Sequence, residues 1–165
     1  MSLLTVVVAF ILISPFTEPF GTFTDLDGTV GMMDHMDIWS SVNIAAGSIY
    51  AFGDMFCHQM FSRSFILNGS QTAVCVRDVA TMIGMIIGFA CVNFIPSGTI
   101  SERKFPIIAA VLLLPVLIDW PLQFFTHFDS FAMRIVSGVS MGISFAMIIT
   151  ILTKRMFDRV LPSEE

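Results

Sequence analysis

Apolar residues run through this chain in blocks, and polar residues collect between the blocks or at isolated points inside them. The first block, SLLTVVVAFILISPF over residues 2–16, falls short of the roughly 20 residues that cross a bilayer. It is expected to cross thinly, to tilt, or to lie partly in the interface. Residues 17–37 read as a polar linker, with the acids Glu18, Asp25, Asp27, Asp34 and Asp37 and no Lys or Arg. Residues 39–60 then predict a helix interrupted by Ser40, Ser41, Asn43, Ser48, Asp54 and His58, groups expected to face other helices or a wet cavity rather than lipid. After a short loop, SRSFILNGSQTA, further apolar helices are predicted over about 74–94, 105–125 and 131–156, with a surface loop at 93–104. The 105–125 segment carries Pro115 and Pro121, which predict a kink or break. The pattern gives an all-α, polytopic membrane helix bundle of four to five transmembrane helices. It forms a single membrane domain over 1–165, divided into a first apolar segment (1–16), an acidic Met/Gly/Asp linker (17–37) and a helical bundle core (38–157).

Composition agrees with that pattern. Only 13% of residues are charged and the mean hydropathy is +0.84, against about a quarter charged in an ordinary soluble domain. The formal charge is −5, and the few basic residues form no stripe of the kind a nucleic-acid surface needs, so nucleic acid is excluded as a partner. The lipid bilayer is the expected surroundings. Arg103, Lys104, Lys154, Arg155 and Arg159 fall on one side of five spans, and Arg63, Arg77 and Arg134 on the other. The positive-inside rule therefore favours a cytoplasmic C-terminus in a multi-pass cell-membrane protein. Met1-Ser2-Leu3 lacks the positive start of a signal peptide, so an uncleaved first span is expected. The glycine pairs Gly84/Gly88 and Gly138/Gly142 put small residues on one helix face, where backbones approach closely.

Candidate chemistry is concentrated in a few places. TDLDGTV, with Asp25 and Asp27, looks like the aspartate motif of haloacid-dehalogenase phosphatases but follows no apolar strand, and is read as coincidence. GMMDHMD offers Met32, Met33, His35 and Met36 as soft copper ligands, or simply an amphipathic lead into the next helix. In FCHQMFSRSF, Asp54, Cys57 and His58 stand at i, i+3 and i+4, one face of a helix. Cys75 and Asp78 repeat the i, i+3 spacing at the start of the next. A hairpin joining the two ends would converge Cys57, His58, Cys75 and Asp78, with Asp54 a further candidate, as ligands for a divalent transition metal, zinc or copper. The same residues also fit a Cys57–Cys75 disulfide or a polar packing cluster in which Arg77 pairs with Asp54 or Asp78. Asp119 and Arg134, close to the ends of adjacent spans, are either a functional pair or a structural ion pair.

FCHQMFSRSF and VCVRDVATMIG together resemble a widespread prokaryotic family of small membrane proteins sharing CHQ-x-x-x-RSF and C-x-R-[C/D], a domain of unknown function. LLLPVLIDWPLQFF and AMRIVSGVSMG are similar to two further segments of it, so the resemblance covers roughly residues 50–147. It implies Cys57, His58, Gln59, Arg63, Ser64, Cys75, Arg77, Asp78, Asp119, Gln123 and Arg134 as shared polar positions, with no reaction attached. Of these, Arg63, Arg77, Asp119, Gln123 and Arg134 make a second polar site. Trp120 stands where the family has glycine, and Ser137 where it has threonine.

No nucleophile stands beside a base at a recognised spacing, and there is no phosphate-cradling loop and no HExxH helix. The expectation is a small, metal-stabilised accessory subunit of a larger membrane complex, a metalloenzyme with copper as the secondary metal, more a non-catalytic subunit than an enzyme. Other integral-membrane subunits would be its partners. A stand-alone metal-dependent membrane enzyme or redox protein is the rival reading, and an ion or metal transporter the third.

Overall fold

The computed structural model describes residues 2–94, 104–126 and 130–160. The predicted loop at 93–104 and the C-terminal tail lie largely outside them. The protein is an all-α membrane bundle with one small hairpin: helices α1 (Ser2–Ile13), α2 (Met36–Ser41) and α3 (Ile44–Phe56), strands β1 (Ile66–Leu67) and β2 (Ser70–Gln71), then helices α4 (Val76–Phe94), α5 (Phe105–Leu112), α6 (Leu114–Thr126) and α7 (Phe131–Val160). Among the described residues, three segments are long and apolar enough to cross a membrane, Val76–Phe94, Phe105–Thr126 and Phe131–Lys154. The expected four to five spans are thus corrected to three. The first apolar block remains a shorter helix. The predicted helix over 39–60 divides at Val42 into α2 and α3, and α3 has only 13 residues. Asn43 causes the division, since its side-chain oxygen accepts from the Ala46 amide at 2.9 Å and starts α3 afresh.

The described residues divide into two compact units, one over Ser2–Val79 and the other from Ala80 onward. In the first, the segment predicted as a linker is packed. Phe23 and Leu26 are buried with Trp39, Ala46, Tyr50 and Ala73, and the Phe23 ring stacks on Tyr50 at 3.9 Å between centroids. Backbone bonds stitch this segment to residues beyond α3: Gly21 N–H to Asn68 O (3.0 Å), Gln71 N–H to Phe23 O (2.7 Å) and Gly28 N–H to His58 O (3.0 Å). Its polar composition conceals two large apolar anchors. β1 and β2 pair antiparallel across Asn68-Gly69, with Ile66 opposite Gln71. Both turn residues have positive φ, 51° and 68°, the combination that Asn-Gly supplies in a two-residue hairpin.

In the second unit α4 and α7 lie in close contact, and glycine makes that possible. A Cβ on Gly84 would strike the Val139 carbonyl, one on Gly142 would strike the Thr81 carbonyl, and one on Gly88 would come within 2.7 Å of the Ala146 Cβ. The small-residue faces are used inside the chain. The span from Phe105 to Thr126 is broken between α5 and α6, where Pro115 removes a backbone donor and Leu113 N–H turns back to Ala110 O at 3.2 Å. Ser144 Oγ on α7 donates to the Ala109 carbonyl of α5 at 2.9 Å, tying the broken span to its neighbour.

Gly84→Val is expected to lower the thermal unfolding midpoint of the detergent-solubilised protein, with a loss of about 1–3 kcal/mol from overpacking. Circular dichroism against temperature measures it, and an unchanged midpoint would contradict the α4–α7 contact.

Candidate metal and thiol site

Helix α3 ends at Phe56, and Cys57 continues in extended conformation (φ −139°, ψ 146°), its amide closing the helix on Gly53 O. The i, i+3, i+4 face expected for Asp54, Cys57 and His58 therefore does not persist to its last two members. Cys75 immediately precedes α4, and its carbonyl accepts the Val79 amide at 3.1 Å, so it occupies the N-cap position with Asp78 in the first turn. An acid there suits the positive end of the helix dipole.

The two cysteines meet. Cys75 N–H donates to Cys57 Sγ at 3.2 Å, and the Cys75 thiol donates to Asp78 Oδ2 at 3.0 Å. Both are free thiols, Cys57 buried and Cys75 partly so. One ligand atom from each of Cys57, Cys75 and Asp78 lies within 4.8 Å of the other two, and among the described residues this is the group of His, Cys, Asp and Glu able to hold a metal ion. Hydrogen bonding from the Cys75 side chain holds the Cys57 thiol below its ordinary range. The Cys75 thiol is pushed up, first by its bond to Cys57 and then by burial and the nearby Asp78 charge.

His58 and Asp54 go elsewhere. His58 is exposed and its Nδ1 lies 2.9 Å from the Gly28 carbonyl. Asp54, fully buried, accepts from Trp39 Nε1 at 3.0 Å and from the His35 amide at 3.2 Å. Its Oδ1 stands 3.5 Å from His35 Nδ1. His35, expected beside methionines, thus turns one ring nitrogen to Asp54, while Met32, Met33 and Met36 are exposed. Asp25 and Asp27 are exposed too.

The loop between the cysteines is held from within by carboxamides that spacing arguments miss or that only the family pattern names. Gln71 is wholly buried. Its Oε1 accepts the Leu26 amide (2.8 Å), and its Nε2 donates to Leu26 O (3.3 Å) and Gln59 O (2.6 Å). The Tyr50 hydroxyl donates to the Gln71 carbonyl, and burial pushes that hydroxyl up beyond the ordinary tyrosine range. Gln59, also fully buried, has φ +48° and donates through Nε2 to Tyr50 O (3.1 Å) and Ala73 O (2.9 Å). These bonds set both ends of the loop, Gln59 two residues after Cys57 and Ala73 two before Cys75. The only sequence signals were the Asn68-Gly69 turn and a glutamine beside each cysteine-bearing segment.

The residues grouped as a second polar site fall in two units. Arg63 and Arg77 are half-buried in the first. Asp119, Gln123 and Arg134 belong to the second, where Asp119 and Arg134 are buried. Gln123 Nε2 donates to Asp119 Oδ1 at 2.6 Å and Ser137 Oγ to Asp119 Oδ2 at 2.9 Å. Ser137 supplies the hydroxyl that threonine would supply. Trp120, at a position where the resemblance led to an expectation of glycine, is 66% exposed and stacks along Phe124.

With helical spans, a dithiol at the mouth of the first and a buried carboxylate in the second, the chain is a multi-pass membrane protein. It belongs to the family described as "Predicted membrane protein (DUF2085)", which it matches over residues 57–148, from Cys57 into α7. It is 30% identical over 110 residues to "Uncharacterized protein MJ1492" of Methanocaldococcus jannaschii, covering 64% of this chain and 67% of that one. No solved structure matches it.

Two outcomes are expected. Gln71→Leu leaves the Leu26 amide and the Gln59 carbonyl without their partners, a loss of about 2–6 kcal/mol at the usual 1–3 kcal/mol for each buried orphan, read as a lower thermal midpoint. In metal-free, reduced protein, the alkylation rate of Cys57 should inflect at a lower pH than that of an unperturbed cysteine thiol. A lowered folded pKa keeps the thiolate populated at lower pH, so the rate rises earlier. Peptide-resolved mass spectrometry reads the profile, and an inflection above that of the unperturbed thiol would contradict the stabilisation.

Proposed function

We propose that this membrane protein holds a divalent transition metal, zinc foremost, on Cys57 Sγ, Cys75 Sγ and an Asp78 oxygen, and that the metal fastens the loop after α3 to the start of the first span. The carrying observation is the convergence of the three ligand atoms within 4.8 Å of one another. Zinc bonds of about 2.0–2.3 Å to sulfur and oxygen require ligands only slightly closer than that bound, which side-chain rotation supplies. Two thiols and a carboxylate form a zinc-type donor set. In the wider reading the chain acts as a metal-stabilised accessory subunit of a larger membrane complex. The site supports this by bracing a small protein at the edge of its spans.

A second reading is favoured by the number of ligands. Three protein donors leave a fourth tetrahedral position for water or substrate, the arrangement of metal-dependent catalysis rather than of closed structural sites. Copper is the alternative metal. Its support is the exposed thioethers of Met32, Met33 and Met36, soft donors suited to the cuprous ion.

Purified in detergent under reducing conditions, the protein is expected to retain about one zinc per chain by elemental analysis at the affinity usual for thiolate sites. Cys57→Ser, Cys75→Ser and Asp78→Asn should each lose it, whereas His58→Ala should not. Retention of zinc by Cys57→Ser would overturn the site. Gentle native electrophoresis with mass spectrometry tests the subunit reading: co-migration with larger membrane proteins supports it, and migration alone turns the reading to a stand-alone enzyme.

A further inference from the structure

The two sulfurs are close enough to bond to one another. Cys75 N–H reaches Cys57 Sγ at 3.2 Å, so the backbone of one cysteine already touches the sulfur of the other, and the two Sγ atoms lie within 4.8 Å. A disulfide needs sulfurs about 2.05 Å apart on β-carbons about 3.8 Å apart. Cys57 is in extended backbone outside α3, and Cys75 is in the cap position before α4. Neither side chain is held by an interior helical turn, so rotation about Cα–Cβ can close the gap without unwinding a helix.

A third group completes the chemistry. Asp78 Oδ2 accepts the Cys75 thiol proton at 3.0 Å, on the side of Cys75 where a base is required if that sulfur is to attack. The cluster therefore contains a thiol, a second thiol and a proton acceptor in series.

We infer that Cys57 and Cys75 form a reversible intramolecular disulfide on exposure to a hydroperoxide, with Asp78 as the base that releases Cys75, and that this oxidation expels the metal. The metal part rests on the reading of the site as a metal site. In the first step Cys57 Sγ attacks the terminal oxygen of the hydroperoxide. The O–O bond breaks, the alcohol (or water, from hydrogen peroxide) leaves with the proton, and Cys57 becomes a sulfenic acid. In the second step Cys75 Sγ attacks Cys57 Sγ; in the metal-free site Asp78 takes its proton, whereas in the loaded site Cys75 is already a thiolate and the proton comes from water. The S–O bond breaks, and the departing hydroxide recovers that proton as water. The two thiols supply two electrons and the O–O bond accepts them. A disulfide sulfur is no thiolate ligand, so the metal loses two of its three protein donors at once. An added thiol reverses the step by exchange.

The test uses the full chain in detergent with the exposed Cys91 replaced, Cys91→Ser, so that the pair supplies the only thiols; methionine sulfoxide adds oxygen mass and is distinguished from loss of two hydrogens. Reduced protein is loaded with zinc, freed of excess, and treated with hydrogen peroxide while a colorimetric chelator reports released zinc and intact mass reports the protein. The expected result is release of zinc in step with the loss of two hydrogens' mass, both reversed by dithiothreitol. In Asp78→Asn, closure should slow at least tenfold and sulfenic acid on Cys57 should accumulate, trapped by dimedone. That variant is measured for thiol chemistry alone, free of metal, and its circular dichroism confirms that it is folded. Closure of Asp78→Asn at the unaltered rate would overturn the role of Asp78. Zinc-loaded protein that ends as sulfinic acid, or keeps both thiols, overturns the inference while leaving the metal site standing. Reduced protein that takes up no zinc overturns the metal reading and with it metal release, even if the disulfide closes.

Discussion

A buried carboxamide is costly where its N–H and C=O groups lack partners, and the Gln71 side chain meets that demand by bonding to two separate stretches of the first unit. Its side chain closes on both backbone groups of Leu26 and on the carbonyl of Gln59, while Tyr50 bonds its own carbonyl. Without such a clamp the buried backbone groups of Leu26 and the carbonyl of Gln59 would lose these partners. With it, the loop becomes a fixed spacer whose two ends are the two cysteines. The thiol cluster is thus a product of amide geometry as much as of cysteine placement.

The spans obey a different solvent. Asp119 is buried among apolar helices, where an ionisable group is costly, and the chain answers with the Gln123 amide and the Ser137 hydroxyl. The donors come from two helices, α6 and α7, so the carboxylate fixes their relative rotation while glycine sets their neighbour's distance. Polar contacts hold rotation and small residues permit approach. The same division of labour suits any bundle in which lipid removes the hydrophobic drive between helices.

Hydropathy made the spans after Val76 legible, because a bilayer demands length and length is visible. Their number was not, since Asn43 restarts a helix within the block that reads as one span, and a cap is a local hydrogen bond with little weight in an average. Cys57, Cys75 and Asp78 could be named from spacing and family pattern. His58 and Asp54 lie apart from them: i, i+3, i+4 logic holds only while the helix does, α3 stops at Phe56, and Asp54 inside it is bonded to Trp39 and the His35 amide. Residues 17–37 looked like a linker because five acids, three glycines and no basic residue break up the apolar groups there. Phe23 and Leu26 nonetheless find the interior, through contacts with residues far along the chain that no local window samples.

Gln59 illustrates how narrow a choice such a structure leaves. Its backbone sits at φ +48°, which by itself would welcome glycine or asparagine. Its amide must also span from Tyr50 O to Ala73 O. Glycine satisfies the first demand and has nothing to offer the second. Asparagine is one methylene too short for the reach, and glutamate has the length but, ionised, no proton to donate. One position is therefore constrained twice over, by its backbone angle and by the reach of its side chain, and its backbone also hydrogen-bonds the Cys57 sulfur.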